Sequence, residues 1–99
     1  MEPKKLSRRE QQDLMDKTIL MFLAKSVEGV HWSDLEKKTL GTCQRYATSS
    51  RFRSRMRYLL NKSFIEKIEK GVYQITEAGQ TYLKSLNLAY KTQKTTVNF

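Results

Sequence analysis

Thr48-Ser49-Ser50-Arg51-Phe52-Arg53-Ser54-Arg55-Met56-Arg57-Tyr58-Leu59-Leu60 is the stretch on which the reading of this chain turns. Phe52, Met56, Leu59 and Leu60 stand at i, i+4, i+7 and i+8, the spacing of one buried helix face. At about 100° per residue, Ser50, Ser54, Tyr58 and Asn61 point away from that stripe, with Arg51 and Arg57 nearby and Arg53 and Arg55 on the flanks. One face is for packing and the other for something anionic. Arginine is a good helix former, so an ordinary solvated face is the plain alternative. Solvated faces usually mix signs, however, and from Lys37 to Ile65 there are eight Lys or Arg and no Asp or Glu. Unbroken positive charge of this kind is the electrostatic footprint of a polyanion partner.

The bulk properties agree. Ninety-nine residues make one domain with a single modest core. A net charge of +9 and a pI near 9.9 favour nucleic acid first, and an acidic membrane or protein second. The longest apolar run, Ile19 to Ala24, has six residues, against roughly 20 needed to cross a bilayer. No membrane association is expected, and the expected location is cytoplasmic, with the nucleoid. A single cysteine, Cys43, rules out an intrachain disulfide framework and a cysteine-based zinc site.

In chain order, residues 1–6 read as a flexible basic arm carrying Lys4 and Lys5. Ser7 with Glu10 has the spacing of a capping box. It opens a first helix running to about Ser26, with Met15, Ile19, Phe22 and Leu23 inward and Leu14 and Leu20 widening the stripe. Glu28-Gly29 breaks it, and Val30-His31-Trp32 reads as a short edge strand. Ser33 with Glu36 repeats the capping spacing and opens a second helix, with Leu35 inward and Gly41 as its stop. A connection over Thr42 to Ala47 leads to the third helix, capped by Thr48 or Ser49 and ending near Lys62. Phe64 to Glu69 and Val72 to Ile75 read as two strands joined by a tight turn at Lys70-Gly71. Thr76 caps a last helix whose Tyr82, Leu83, Leu86 and Tyr90 form a stripe. The domain spans 7–90, and 91–99 is a polar tail.

Leu59-Leu60, Phe64-Ile65-Glu66, the Lys70-Gly71 turn and Val72-Tyr73-Gln74-Ile75-Thr76-Glu77-Ala78-Gly79 with Leu83 beyond together resemble the winged helix-turn-helix family. The pattern is similar to small bacterial and archaeal transcriptional regulators of the MarR-like and PadR-like kinds. What the resemblance implies is a mainly helical α+β fold: helix, short strand, helix, helix, two-stranded wing hairpin, C-terminal helix. Two departures stand out. Family members usually carry glycine where this chain has Ser63, so Asn61 is a candidate for the left-handed position that ends the helix. The wing is also short.

The resemblance further implies double-stranded DNA as partner, with helix 48–62 in the major groove and its N-terminal half at the base edges. Thr48, Ser49, Ser50, Arg51 and Ser54 are then candidates for base contacts, and Arg51 for a bidentate guanine contact. Arg45, Arg53, Arg57 and Lys62 suit phosphates, and Lys67 and Lys70 a flanking phosphate if the wing reaches it. Ser49 and Ser50 have an alternative role as caps, and Arg55 is expected along the core edge. One winged helix reads a short half-site, so a homodimer is expected, with Tyr82, Leu86, Leu88 and Tyr90 of the last helix as its interface. The same residues have a plainer use in closing the monomer core.

Other classes fit less well. With one histidine, no glycine-rich phosphate loop and no paired carboxylates in an apolar setting, no enzyme mechanism can be assembled, and no cofactor or metal is expected. His31 reads as a packed strand residue. A protein-interaction winged helix, serving as a subunit of a transcription or other assembly, is the second functional reading. RNA binding is the third, because Tyr46, Phe52 and Tyr58 interleave with arginines but no RNA-module motif is present.

Overall fold

Seven elements follow in the expected order: α1 Arg8–Ala24, β1 Val30–His31, α2 Trp32–Thr42, α3 Ser49–Asn61, β2 Ile65–Glu69, β3 Val72–Ile75 and α4 Glu77–Ala89. The computed structural model of the chain describes residues 6–90. The expected basic arm, Leu6 aside, and the polar tail over 91–99 lie outside the described residues.

The caps explain where most helices begin. At α1 the Glu10 N–H donates to Ser7 Oγ at 3.1 Å and the Ser7 N–H donates to Glu10 Oε1 at 2.8 Å, so two otherwise unpaired donors are satisfied reciprocally. Thr48 Oγ1 accepts from the Arg51 N–H at 3.1 Å, and Thr76 Oγ1 accepts from the Gly79 N–H at 3.0 Å. Thr76 also donates to the Ser63 carbonyl at 2.6 Å, which ties the start of α4 to the end of α3.

Five local expectations are corrected. Helix α2 starts earlier than Ser33: the Trp32 N–H is taken by the Gly71 carbonyl at 2.8 Å, so strand pairing runs straight into the first turn. His31 becomes the cap, its Nδ1 accepting from the Ser33 N–H at 3.2 Å, and it is exposed instead of packed. Gly41 does not stop α2, which continues to Thr42 and delivers Cys43 into the core. Helix α1 ends at Ala24, short of Ser26. Finally, Ser63 rather than Asn61 takes the left-handed conformation, at φ +62°. The Phe64 N–H reaches the Leu59 carbonyl at 2.9 Å and the Ser63 N–H the Leu60 carbonyl at 3.0 Å, a Schellman ending. The family's glycine position therefore keeps its conformation with a serine in it.

The three strands form one antiparallel sheet in the order β1-β3-β2. Val30 pairs with Tyr73 and His31 with Val72 on one side. On the other, Ile65 pairs with Ile75 and Glu66 with Gln74. The register slips between Lys67 and Glu69, a bulge next to the Lys70-Gly71 turn, where Gly71 adopts φ +76°. Beneath the helices, Met15, Ile19, Leu20 and Leu23 of α1 meet Leu35 of α2, Phe52, Met56 and Leu59 of α3, Ile65 of β2 and Leu86 of α4. Each such side chain contributes roughly 1.5–3 kcal/mol by leaving water. That core sets α3 against α1 on one side and the sheet on the other, with its remaining face outward.

Candidate nucleic-acid interface

Because Phe52, Met56 and Leu59 are buried, the helical repeat turns Ser50, Ser54, Arg57 and Asn61 outward, and all four are exposed. The expected contact residues Arg45, Thr48, Ser49, Ser50, Arg51, Arg53, Ser54, Arg57, Lys62, Lys67 and Lys70 are likewise exposed. Thr48 is committed to the cap. Ser49 and Ser50 are thereby spared that role, and the hydroxyls of Ser50 and Ser54 have no hydrogen-bond partner among the described residues.

The arginines of α3 divide between its two edges. Arg51 Nη1 donates to Gln11 Oε1 at 2.9 Å and to the Tyr46 carbonyl at 3.1 Å, which draws it toward α1. Between the two helices lies a cleft of about 370 Å³ lined by Arg8, Gln11, Ser50, Arg51 and Ser54 among others. The residue read as the leading guanine contact is thus held against its own domain. Arg55 lies on the same edge. Its Nε and Nη2 grip Asp16 Oδ1 and Oδ2 at 2.8 and 2.7 Å, and its guanidinium stacks 4.3 Å over the Tyr58 ring. Tyr58, placed outward by the helical wheel, is half-buried. On the opposite edge, Arg53 and Arg57 make no hydrogen bond or ion pair among the described residues.

Asp16 had no place in the sequence reading, yet it organises the site. Its side chain is fully buried, and it accepts from Arg55 of α3 and, at 2.9 Å, from the Tyr82 hydroxyl of α4. Burial pushes the Asp16 carboxyl above its ordinary range, while the hydrogen bond and charge of Arg55 and the bond from Tyr82 oppose the rise. The Tyr82 phenol is raised, first by burial and then by the Asp16 charge. Nearby, the Tyr90 hydroxyl donates to Asp13 Oδ2 at 2.7 Å and is pushed up to about 12 by burial and that bond. One signal was available: Asp16 sits between Met15 and Ile19, within the apolar stripe of α1, where a charge survives only if paired.

These bonds also bear on the expected dimer surface. Leu86 is only 5% exposed, inside the monomer core, which removes it from the interface. Tyr82 stacks on Phe64 with ring centroids 4.4 Å apart, and Tyr90 is bonded to α1. Leu88, at 73% exposure, remains outward. Cys43 is buried, 3.5 Å from Thr18 Oγ1. Among the described residues no group of three His, Cys, Asp or Glu side chains is placed to hold a metal ion, and no helix is long and apolar enough to cross a membrane.

Four helices around a three-stranded sheet, with a hairpin between α3 and α4, define a winged helix. The chain is similar to the crystal structure of SSV1 F-93, with a TM-score of 0.59 and 24% identity over 81% of this chain and 90% of that one. This likeness speaks for the fold and does not single out the MarR-like or PadR-like groups. No family model and no curated protein matches the chain.

Proposed function

We propose that this winged helix is a non-enzymatic double-stranded DNA-binding protein that lays α3 in the major groove and acts in transcriptional regulation at the nucleoid. The observation that carries the reading is the outward face of α3. Its Ser50, Ser54, Arg53 and Arg57 are exposed and have no hydrogen-bond or ion-pair partner among the described residues, while the buried Asp16 carboxylate beside the helix is paired with Arg55. Ser50 and Ser54 take the base edges in place of the tethered Arg51. Arg45, Arg53, Arg57, Lys62 and Lys67 take phosphates. The homodimer a palindromic site would require uses the outer side of α4 around Leu88.

The test is fluorescence anisotropy of a labelled 20-base-pair duplex between 50 and 200 mM salt. Five phosphate contacts predict a slope of about −4 to −5 in log K against log salt. Arg57→Ala should weaken every duplex alike and reduce that slope by about one. Absence of binding at 50 mM salt would refute DNA binding and favour the protein-interaction reading.

A further inference from the structure

Beside the uncommitted edge of α3 lies an open groove of about 390 Å³ whose lining differs from the rest of the basic face. It is lined by Phe52, Met56 and Leu60 of α3 together with Trp32 and Tyr73; Phe52 and Met56 are buried, so Trp32, Tyr73 and Leu60 offer its accessible apolar surface. Arg53 and Arg57, one helical turn apart, form the rim. Trp32 is 38% exposed, the most exposed aromatic ring of the core's surroundings. It is not a loose side chain: its backbone N–H is held by the Gly71 carbonyl at 2.8 Å, and its ring lies 6.1 Å from that of His31. The absence of a side chain at Gly71 leaves room for the His31 ring that flanks Trp32, since a Cβ there would come within 2.8 Å of His31 Nε2.

An apolar, aromatic lining and a cationic rim specify an occupant with a flat ring joined to negative charge. No acidic residue lines the groove, so a basic partner would find no counter-ion there. A nucleotide unit meets both demands, with its base against the aromatic side chains and its flanking phosphates on the guanidinium groups of Arg53 and Arg57, which are i, i+4 neighbours on the helix surface. A base within an intact duplex has both faces stacked and cannot enter, whereas an unpaired base enters at little cost. We infer that the groove between α3 and the sheet captures an unpaired base, so that the protein prefers DNA carrying one over a fully paired duplex. This rests on the DNA-binding reading above and adds to it the class of DNA favoured.

The experiment compares, by anisotropy and with the full chain, a fully paired duplex and the same duplex with one extra unpaired thymidine at its centre. Trp32, the chain's single tryptophan, reports from the groove by its fluorescence. The expected result is about five- to hundredfold tighter binding of the bulged duplex, the span that stacking of one base on aromatic side chains supports. Trp32 emission is quenched by the bulged duplex and not by the paired one. Trp32→Leu removes the preference while paired-duplex affinity is kept, and Trp32→Phe retains most of it. Equal affinity for both duplexes with unmoved Trp32 emission would overturn the groove assignment and leave duplex binding standing. Failure of both duplexes to bind would overturn both readings together. Quenching by thymidine monophosphate alone, at the concentration at which the bulged duplex acts, would reassign the groove to free nucleotides and overturn the DNA assignment.

Discussion

Replacing Arg55 by methionine tests whether the buried carboxylate on which α1, α3 and α4 meet is the main polar determinant of this fold. The variant keeps the packing of the arginine stem and removes the guanidinium that gives Asp16 two of its three hydrogen bonds. Asp16 is fully buried and Arg55 14% exposed, so little water reaches the orphaned carboxylate. Breaking a pair of this kind typically costs about 3–5 kcal/mol. Protonation caps the cost. Starting from an ordinary carboxyl near pH 3.9, holding the proton at pH 7 requires about 4 kcal/mol, and at pH 5 about 1.5 kcal/mol. The linkage has a definite sign: a carboxyl whose folded pKa is raised stabilises fully below its unfolded pKa and loses that contribution as pH climbs through the folded one. Arg55→Met raises the folded value further. The variant should therefore fall short of the parent by about 3–4 kcal/mol at pH 7 and by about half that at pH 5, measured by urea unfolding followed by circular dichroism. Asp16→Leu/Arg55→Met/Tyr82→Phe, which removes every member of the network, should recover most of the loss. A deficit below about 1 kcal/mol at pH 7, or one that does not shrink toward pH 5, would refute the reasoning.

Gly79→Ala places a Cβ against the Phe64 carbonyl oxygen, backbone that cannot swing aside, and should cost at least about 2 kcal/mol; an unchanged melting temperature would show that α4 can lift from Phe64 freely. Ser63→Gly relieves a left-handed serine at φ +62° and should stabilise by about 0.5–1 kcal/mol in the same unfolding assay, whereas destabilisation would mean that the serine side chain contributes more than its backbone strain. Tyr90 is pushed up to about 12, so its stabilising contribution is whole below about pH 10 and is lost as pH rises through 12. Between pH 9.5 and 11.5 the parent should lose more stability than Tyr90→Phe, and equal losses would remove the Asp13 bond from the account.

The elements that local chemistry dictates were legible. A capping box at Ser7 and Glu10, a threonine before α3 and another before α4, and a glycine in the hairpin turn act over three or four residues, and the structure keeps all of them. Where reading failed, a distant partner decided. The same capping spacing at Ser33 and Glu36 opens nothing, because the Gly71 carbonyl, some forty positions away in sequence, has already claimed the Trp32 N–H. Gly41 does not end α2 because the core has a place for Cys43. At the site, periodicity separated the buried face of α3 from the exposed one but could not tell Arg51 from Arg57, since their roles depend on what stands opposite. Arg51 faces Gln11 and the Tyr46 carbonyl, and Arg57 faces open space at the groove rim. Asp16 was visible as a charge in an apolar stripe; its partners, Arg55 and Tyr82, lie 39 and 66 positions further on.

The division of the arginines bears on how α3 would meet DNA. A helix with four arginines and no acidic residue along it invites the picture of uniform positive charge, yet Asp16 cancels one of them and Gln11 holds another. Among the described residues, the arginines left without a hydrogen bond or ion pair on α3 are Arg53 and Arg57, on the edge beside the sheet. In the DNA-binding reading proposed above, these two guanidinium groups can adapt to phosphates, whereas Arg51 keeps its charge but is fixed beside α1. The Asp16 network acts mechanically. By fastening Arg55 to Asp16 of α1, which in turn accepts from Tyr82 of α4, it opposes rotation of α3 about its axis, and rotation by one residue, about 100°, would carry Ser50 and Ser54 off the outward face. Loss of Arg55 should therefore weaken DNA binding although Arg55 itself is turned inward, and it should do so through the orientation of the serines rather than through the count of phosphate contacts. The salt slope distinguishes the two: Arg55→Met lowers affinity and leaves the slope in place, while Arg57→Ala lowers both.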